Sequence, residues 1–145
     1  VAEPGVRASH AAASARSCLV CAISVLVVIA LGLASRRFPA LVPDVLGKYP
    51  GDALWTVMVF FIWAALLPRQ AAWRLAAWAL ATSFAVEFFQ LVQAPWAVAL
   101  RSSTLGRLAL GTTFGWTDLI AYTVGAAIAW LADALLFARQ RFRKA

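Results

Sequence analysis

The chain has 145 residues, 63% of them apolar and only 13% charged, and its mean hydropathy is +0.82. Small soluble domains bury the smallest share of their surface, and average soluble usage is about 45–50% apolar and about 25% charged, so a soluble domain is excluded. The net charge of +7 arises from 13 basic and 6 acidic residues. The basic residues lie between apolar runs and divide across both membrane faces, which excludes a nucleic-acid surface and makes them topology signals and headgroup contacts.

In chain order, residues 1–16 form an Ala/Ser-rich segment expected to be a flexible cytoplasmic tail. His10 lies in it with no second His to build a metal site. Eleven Arg against two Lys, with the initial Val as a GTG start read literally, point to a bacterial, GC-rich coding sequence. The first apolar run, 17–34, exceeds the 7–15 residues of a signal-peptide core, and Ala34-Ser35-Arg36 is a poor cleavage site, so it is expected to be a retained helix. Cys18 and Cys21 are the only cysteines; without further ligands, and among Leu, Val, Ala and Ile, they are expected to fill apolar space.

The second span is expected at 51–67, after the turn Tyr49-Pro50-Gly51 and before Pro68. The third is expected at 73–94, before Pro95, and the fourth at 117–137, before the basic tail 139–145. A spanning helix needs about 17–25 residues, so the expected fold is all-α: a compact bundle of four transmembrane helices within 17–138. The third loop, 95–116, is long, and its glycines favour an interfacial helix or a shallow re-entrant turn over another span. Eight basic residues fall on the side of both termini and five on the other, so both termini are expected in the cytoplasm of a multi-pass protein of the bacterial inner membrane. Trp55, Trp63, Trp73, Trp96 and Trp116 fall near the proposed helix ends, at headgroup depth.

Glu87 lies inside the third apolar run, with Gln90 and Ser83 on its face. A buried carboxylate there is expected to face the bundle interior as a structural hydrogen-bonding group, as a ligand- or chemistry-bearing group, or to snorkel to the interface. Asp118 and Thr117 open the fourth helix and Asp52 the second, where carboxylates cap free N–H groups; Tyr122 sits one turn below Asp118, followed by the small residues Gly125 and Ala129. The topology collects Asp52, Glu87, Gln90, Arg101, Arg107, Asp118 and Tyr122 in the outer half, as a self-satisfied ion-pair network or a pocket for an anionic headgroup. Glu87 and Asp118 are the candidate catalytic carboxylates. Asp133, beside the basic tail, is expected to pair with an Arg or reach the headgroup layer. No cofactor or metal is expected.

These blocks resemble a known family. Tyr49-Pro50-Gly51-Asp52-Ala53-Leu54-Trp55, Glu87-Phe88-Phe89-Gln90, the stretch from Arg101 through Gly111, and the run from Phe114 through Gly125 are similar to the uncharacterised bacterial membrane-protein family named domain of unknown function 2809, over about residues 34–136. More distantly, Glu87-x-x-Gln90, an intervening Arg, Asp118 and Gly125 resemble the VanZ-like family, with Tyr122 where that family has Asn. The resemblance implies a compact helix bundle with a polar outer-side site, serving envelope lipids or lipid-linked glycans.

Four functions fit the residues. The first is binding of an anionic envelope lipid or lipid-linked headgroup. The others are an intramembrane enzyme on a lipid-linked substrate with Glu87 as acid or base, a small transporter, and a structural or accessory subunit. Membrane lipids are the expected partners, with a lipid-linked envelope intermediate and a homo-oligomer as further candidates.

Overall fold

The computed structural model describes residues 16–38, 40, 43 and 47–142, with the side chains of Arg36 and of residues 138–142 left aside. The expected tail up to residue 15, with Arg7 and His10, and the basic pair Arg143 and Lys144 lie outside the described residues.

Among the described residues, six helices run in order: α1 Cys18–Arg37, α2 Tyr49–Leu66, α3 Ala72–Phe89, α4 Pro95–Ser102, α5 Thr104–Leu110 and α6 Trp116–Phe142. Their ends follow from local chemistry. Ser17 caps α1 by accepting from the Val20 N–H at 3.5 Å, and Phe38 closes it with an N–H to the Ala34 carbonyl. The hydroxyls of Ser24 and Ser35 donate back to the Val20 and Gly32 carbonyls, so neither is left unmatched on an apolar helix. Pro50 stands in the first turn of α2, where its missing N–H costs nothing, and Asp52 adds favourable charge to that turn. Ser103 caps α5, and Gly111, at φ +65°, ends it in a conformation that a side chain would strain.

The all-α class stands, but the expected bundle of four transmembrane helices does not. Among the described residues, three helical stretches are long and apolar enough to cross a membrane: Cys18–Ser35, Tyr49–Leu66 and Trp116–Phe137. The third long helix fails because α3 carries Arg74, Thr82, Ser83 and Glu87 among its apolar residues, and because it ends at Phe89 rather than at 94. Tight turns from Gln90, Leu91 and Val92 back to Glu87, Phe88 and Phe89 stop it short of Pro95. The segment from Pro95 holds α4 and α5, a short non-helical stretch follows Leu110, and Trp116 already belongs to α6. With three such helices, the chain is a multi-pass membrane protein.

Helix α2 is the centre of the bundle, packed by α1, α3 and α6, while α3 also lies on α6. Phe60, Ala64, Leu75, Ala79 and Ala129 form the apolar core, and all are fully buried. Gly125 permits the closest approach: a Cβ there would sit 2.3 Å from the Ala53 carbonyl oxygen, so α6 lies backbone-to-backbone on α2. Outward, Leu19, Leu26, Ile120 and Leu135 are 66–78% exposed, apolar surface that lipid covers.

One end of the bundle is tied by Arg16. Its guanidinium holds both oxygens of Asp133, at 2.5 and 2.8 Å, and donates to the Gln70 carbonyl at 2.6 Å. Both ionic side chains are buried, so the start of α1, the α2–α3 turn and the lower part of α6 meet there. The expected Arg partner of Asp133 is therefore Arg16. Trp63 lies near the end of α2, as expected, and also bonds across to α3. Its indole N–H donates to Thr82 Oγ1 at 3.1 Å, making it a link between α2 and α3.

Candidate functional site

At the other end, the helices that begin there (α2 and α6) and the helix that ends there (α3) bring their polar residues together. Glu87 is fully buried, and three donors surround its carboxylate. Oε1 accepts from the Gly115 N–H at 2.7 Å; Oε2 accepts from the Tyr122 hydroxyl at 2.8 Å and from Gln90 Nε2 at 3.1 Å. All three are neutral, so among the described residues the hydrogen bonds that hold a charge at Glu87 come from dipoles. The structural hydrogen-bonding role expected for Glu87 is thus present: it fixes α3 to α6 and to the loop before α6.

Gln90 spends its amide N–H groups on Glu87 and on the Leu110 carbonyl at 2.9 Å, which leaves Gln90 Oε1 buried with no partner among the described residues. Gly111 favours glycine through its positive φ, and a Cβ there would also crowd Gln90 Nε2 at 2.6 Å. Below this node, Thr56 and Ser83 satisfy each other at 3.0 Å, and the apolar core begins.

Asp118 is buried at the first turn of α6 and pairs with Lys48, the residue before α2: Nζ to Oδ2 is 2.5 Å. Asp118 Oδ1 is buried and accepts no hydrogen bond among the described residues. A Cβ on Gly115 would lie 2.9–3.1 Å from this carboxyl group, so the glycine lets the loop pass over it. Lys48 lies at the edge of the membrane-spanning part, its side chain 59% exposed. Partial desolvation works against its charge, but the hydrogen bond and charge of Asp118, with the charges of Asp52 and Glu87, outweigh that and raise its pKa above the usual lysine value.

These groups line an open cavity of about 810 Å³, within the range of ligand sites. Lys48, Asp52, Glu87, Gln90, Asp118 and Tyr122 form its polar side. Val28, Ile29 and Leu33 of α1 with Leu54 and Met58 of α2 form one apolar wall, and Leu105 and Leu108 of α5 form another. Arg107 stands on α5 with its side chain exposed at the cavity and no hydrogen bond or ion pair among the described residues.

Of the expected site residues, the fold brings six to the cavity and withholds one. Arg101 is buried outside it, donating to the carbonyls of Phe89 and Val92 at 2.8 Å each and lying over the Phe89 ring. It closes the C-terminal end of α3, whose last carbonyls need donors, so it is not available to an anion. Asp52 is partly buried at the cavity in the first turn of α2, where its charge also meets the helix dipole. Lys48 was visible in the sequence only as a loop charge. The signal that could have found it is its position just before α2, since α2 and α6 begin at the same end and their first residues converge. Gly111 and Gly115 carry no such signal, because their role depends on contacts across the fold.

No solved structure matches the chain. Residues 41–126 match the model of a family described as protein of unknown function, DUF2809, a stretch that contains every polar cavity residue named above. A match over more than half of the 145 residues makes the chain a member of the DUF2809 family.

Proposed function

We propose that this membrane protein binds the phosphate-bearing head of an envelope lipid or lipid-linked intermediate in the 810 Å³ cavity. Arg107 contacts the phosphate at the rim, and the apolar walls from α1 and α5 receive the adjoining hydrocarbon. The observation that carries this reading is the cavity's two-sided chemistry, polar at the helix ends and apolar toward α1 and α5, with a guanidinium at its edge that is unengaged among the described residues. A guanidinium matches phosphate geometry bidentately. The excess of basic residues at the Arg16 end supports an orientation with that end cytoplasmic and the cavity outward.

Transport is less well supported, because beneath Thr56 and Ser83 the bundle centre is apolar, with Phe60, Ala64 and Leu75 fully buried. The structural-subunit reading rests on Glu87, whose donors hold it in place. Thermal unfolding in detergent separates the two, since a ligand that binds only the folded state raises its melting temperature. Added phospholipid is expected to stabilise the wild type and to have little effect on Arg107→Ala. Equal stabilisation of both proteins would remove Arg107 from the site and favour the structural reading.

A further inference from the structure

Phosphate recognition explains Arg107 but not the acceptors on the polar side of the same cavity. Asp118 and Gln90 are 3% and 4% exposed, and each carries a buried oxygen, Oδ1 and Oε1, with no donor among the described residues. Buried acceptors are seldom left unmatched, since each costs its desolvation without return. Both residues line the cavity, and both are tied to the Glu87 node: Gln90 directly, and Asp118 through Gly115, whose N–H donates to Glu87 and whose carbonyl accepts from the Asp118 N–H at 3.0 Å. A ligand filling this side must therefore bring donors. It must also suit negative charge, because among the described residues the hydrogen bonds to Glu87 come from neutral groups and Lys48 takes just one oxygen of Asp118.

We infer that the polar side is an ammonium subsite, so that the occupant of the cavity is an amphiphile carrying a primary amine beside its phosphate. The –NH₃⁺ group donates to Asp118 Oδ1 and Gln90 Oε1, with the Glu87 charge behind them, while the phosphate lies at Arg107. A primary ammonium has three N–H donors, and the charged acceptor strengthens the contact. A quaternary ammonium has the charge but no donor. A glycerol head has donors but no charge. This inference rests on the phosphate reading and narrows it.

The test is native mass spectrometry of the full chain titrated with phosphatidylethanolamine, phosphatidylcholine and phosphatidylglycerol of identical acyl chains. The wild type is expected to prefer phosphatidylethanolamine by about tenfold over both others, the gain of roughly one charge-assisted contact. Asp118→Asn should bring the three lipids close together. Arg107→Ala should weaken all three in parallel. The comparison among lipids on wild-type protein needs no variant, so it decides the question even if Asp118→Asn fails to fold. Equal binding of the three lipids, or a preference for phosphatidylglycerol, would overturn the ammonium subsite, and an effect of Arg107→Ala would then leave the phosphate reading standing. Binding of none of the lipids would overturn both.

Discussion

At the residue scale, the site is organised by one carboxylate and the donors that fit it. Tyr122 contributes the shortest side-chain hydrogen bond to Glu87, so Tyr122→Phe should destabilise the protein by about 1–3 kcal/mol, the cost of an unmet buried group, measured as chemical or thermal unfolding in a fixed detergent. Lys48 gives a prediction in pH. Its folded pKa lies above the ordinary 10.5, so its contribution to stability is complete below that value and is lost as pH rises through the raised one. The melting-temperature gap between the wild type and Lys48→Gln should therefore stay constant from pH 6 to about 9 and close only in strong alkali, above its ordinary range. A gap that closed near neutrality would mean that another group controls the pair. At this scale the sequence was informative about Glu87, Gln90, Asp118 and Tyr122, because ionisable and amide groups inside apolar helices must find partners. It was misleading about Arg101: an Arg in an outer loop looks the same whether it faces a ligand or caps a helix, and only the position of the Phe89 and Val92 carbonyls distinguishes them.

At the scale of elements, two features hold the bundle and make separate predictions. Gly125 sets the distance between α2 and α6, so Gly125→Val should force the helices apart and cost at least about 1–3 kcal/mol, the usual range for overpacking. The Arg16–Asp133 pair ties the opposite end. Removing one partner, as in Arg16→Met, leaves a buried charge and should cost about 3–5 kcal/mol, whereas Arg16→Met with Asp133→Leu should recover most of it. A double variant no better than the single one would show that the bonds from Arg16 to the α2–α3 turn, not its pairing with Asp133, provide the stability. Helix positions were legible because apolar runs, prolines and capping residues mark them locally. The standing of α3 was not. Its length suggested a span, but the exposed Arg74, with Ser83 and Glu87 buried against the bundle, sets it apart from the three more apolar helices.

At the scale of the whole molecule, the polar groups divide between two ends and an apolar core separates them. In protein with Cys18 and Cys21 replaced by Ala, the exposed positions Phe38 and Arg69 flank α2. Single cysteines there should react with a membrane-impermeant reagent from opposite sides, Arg69→Cys from the cytoplasm. The separation was legible from charge and hydropathy, but the cavity was not, because it exists only where α1 and α5 face each other across the beginnings of α2 and α6. Gly32 offers the most direct test of what the cavity does. It lines the cavity, and a Cβ added there meets nothing within 4 Å, so Gly32→Phe can occupy the space while relieving α1 of a residue that costs helices about 0.5–1 kcal/mol relative to Ala. The decisive measurement is native mass spectrometry of lipid retained by the wild type and by Gly32→Phe, extracted side by side with melting temperatures recorded. A bound phospholipid present in the wild type and absent from an equally stable Gly32→Phe protein is the predicted result. The same lipid retained by both would place it on the outer surface and contradict a ligand site in the cavity.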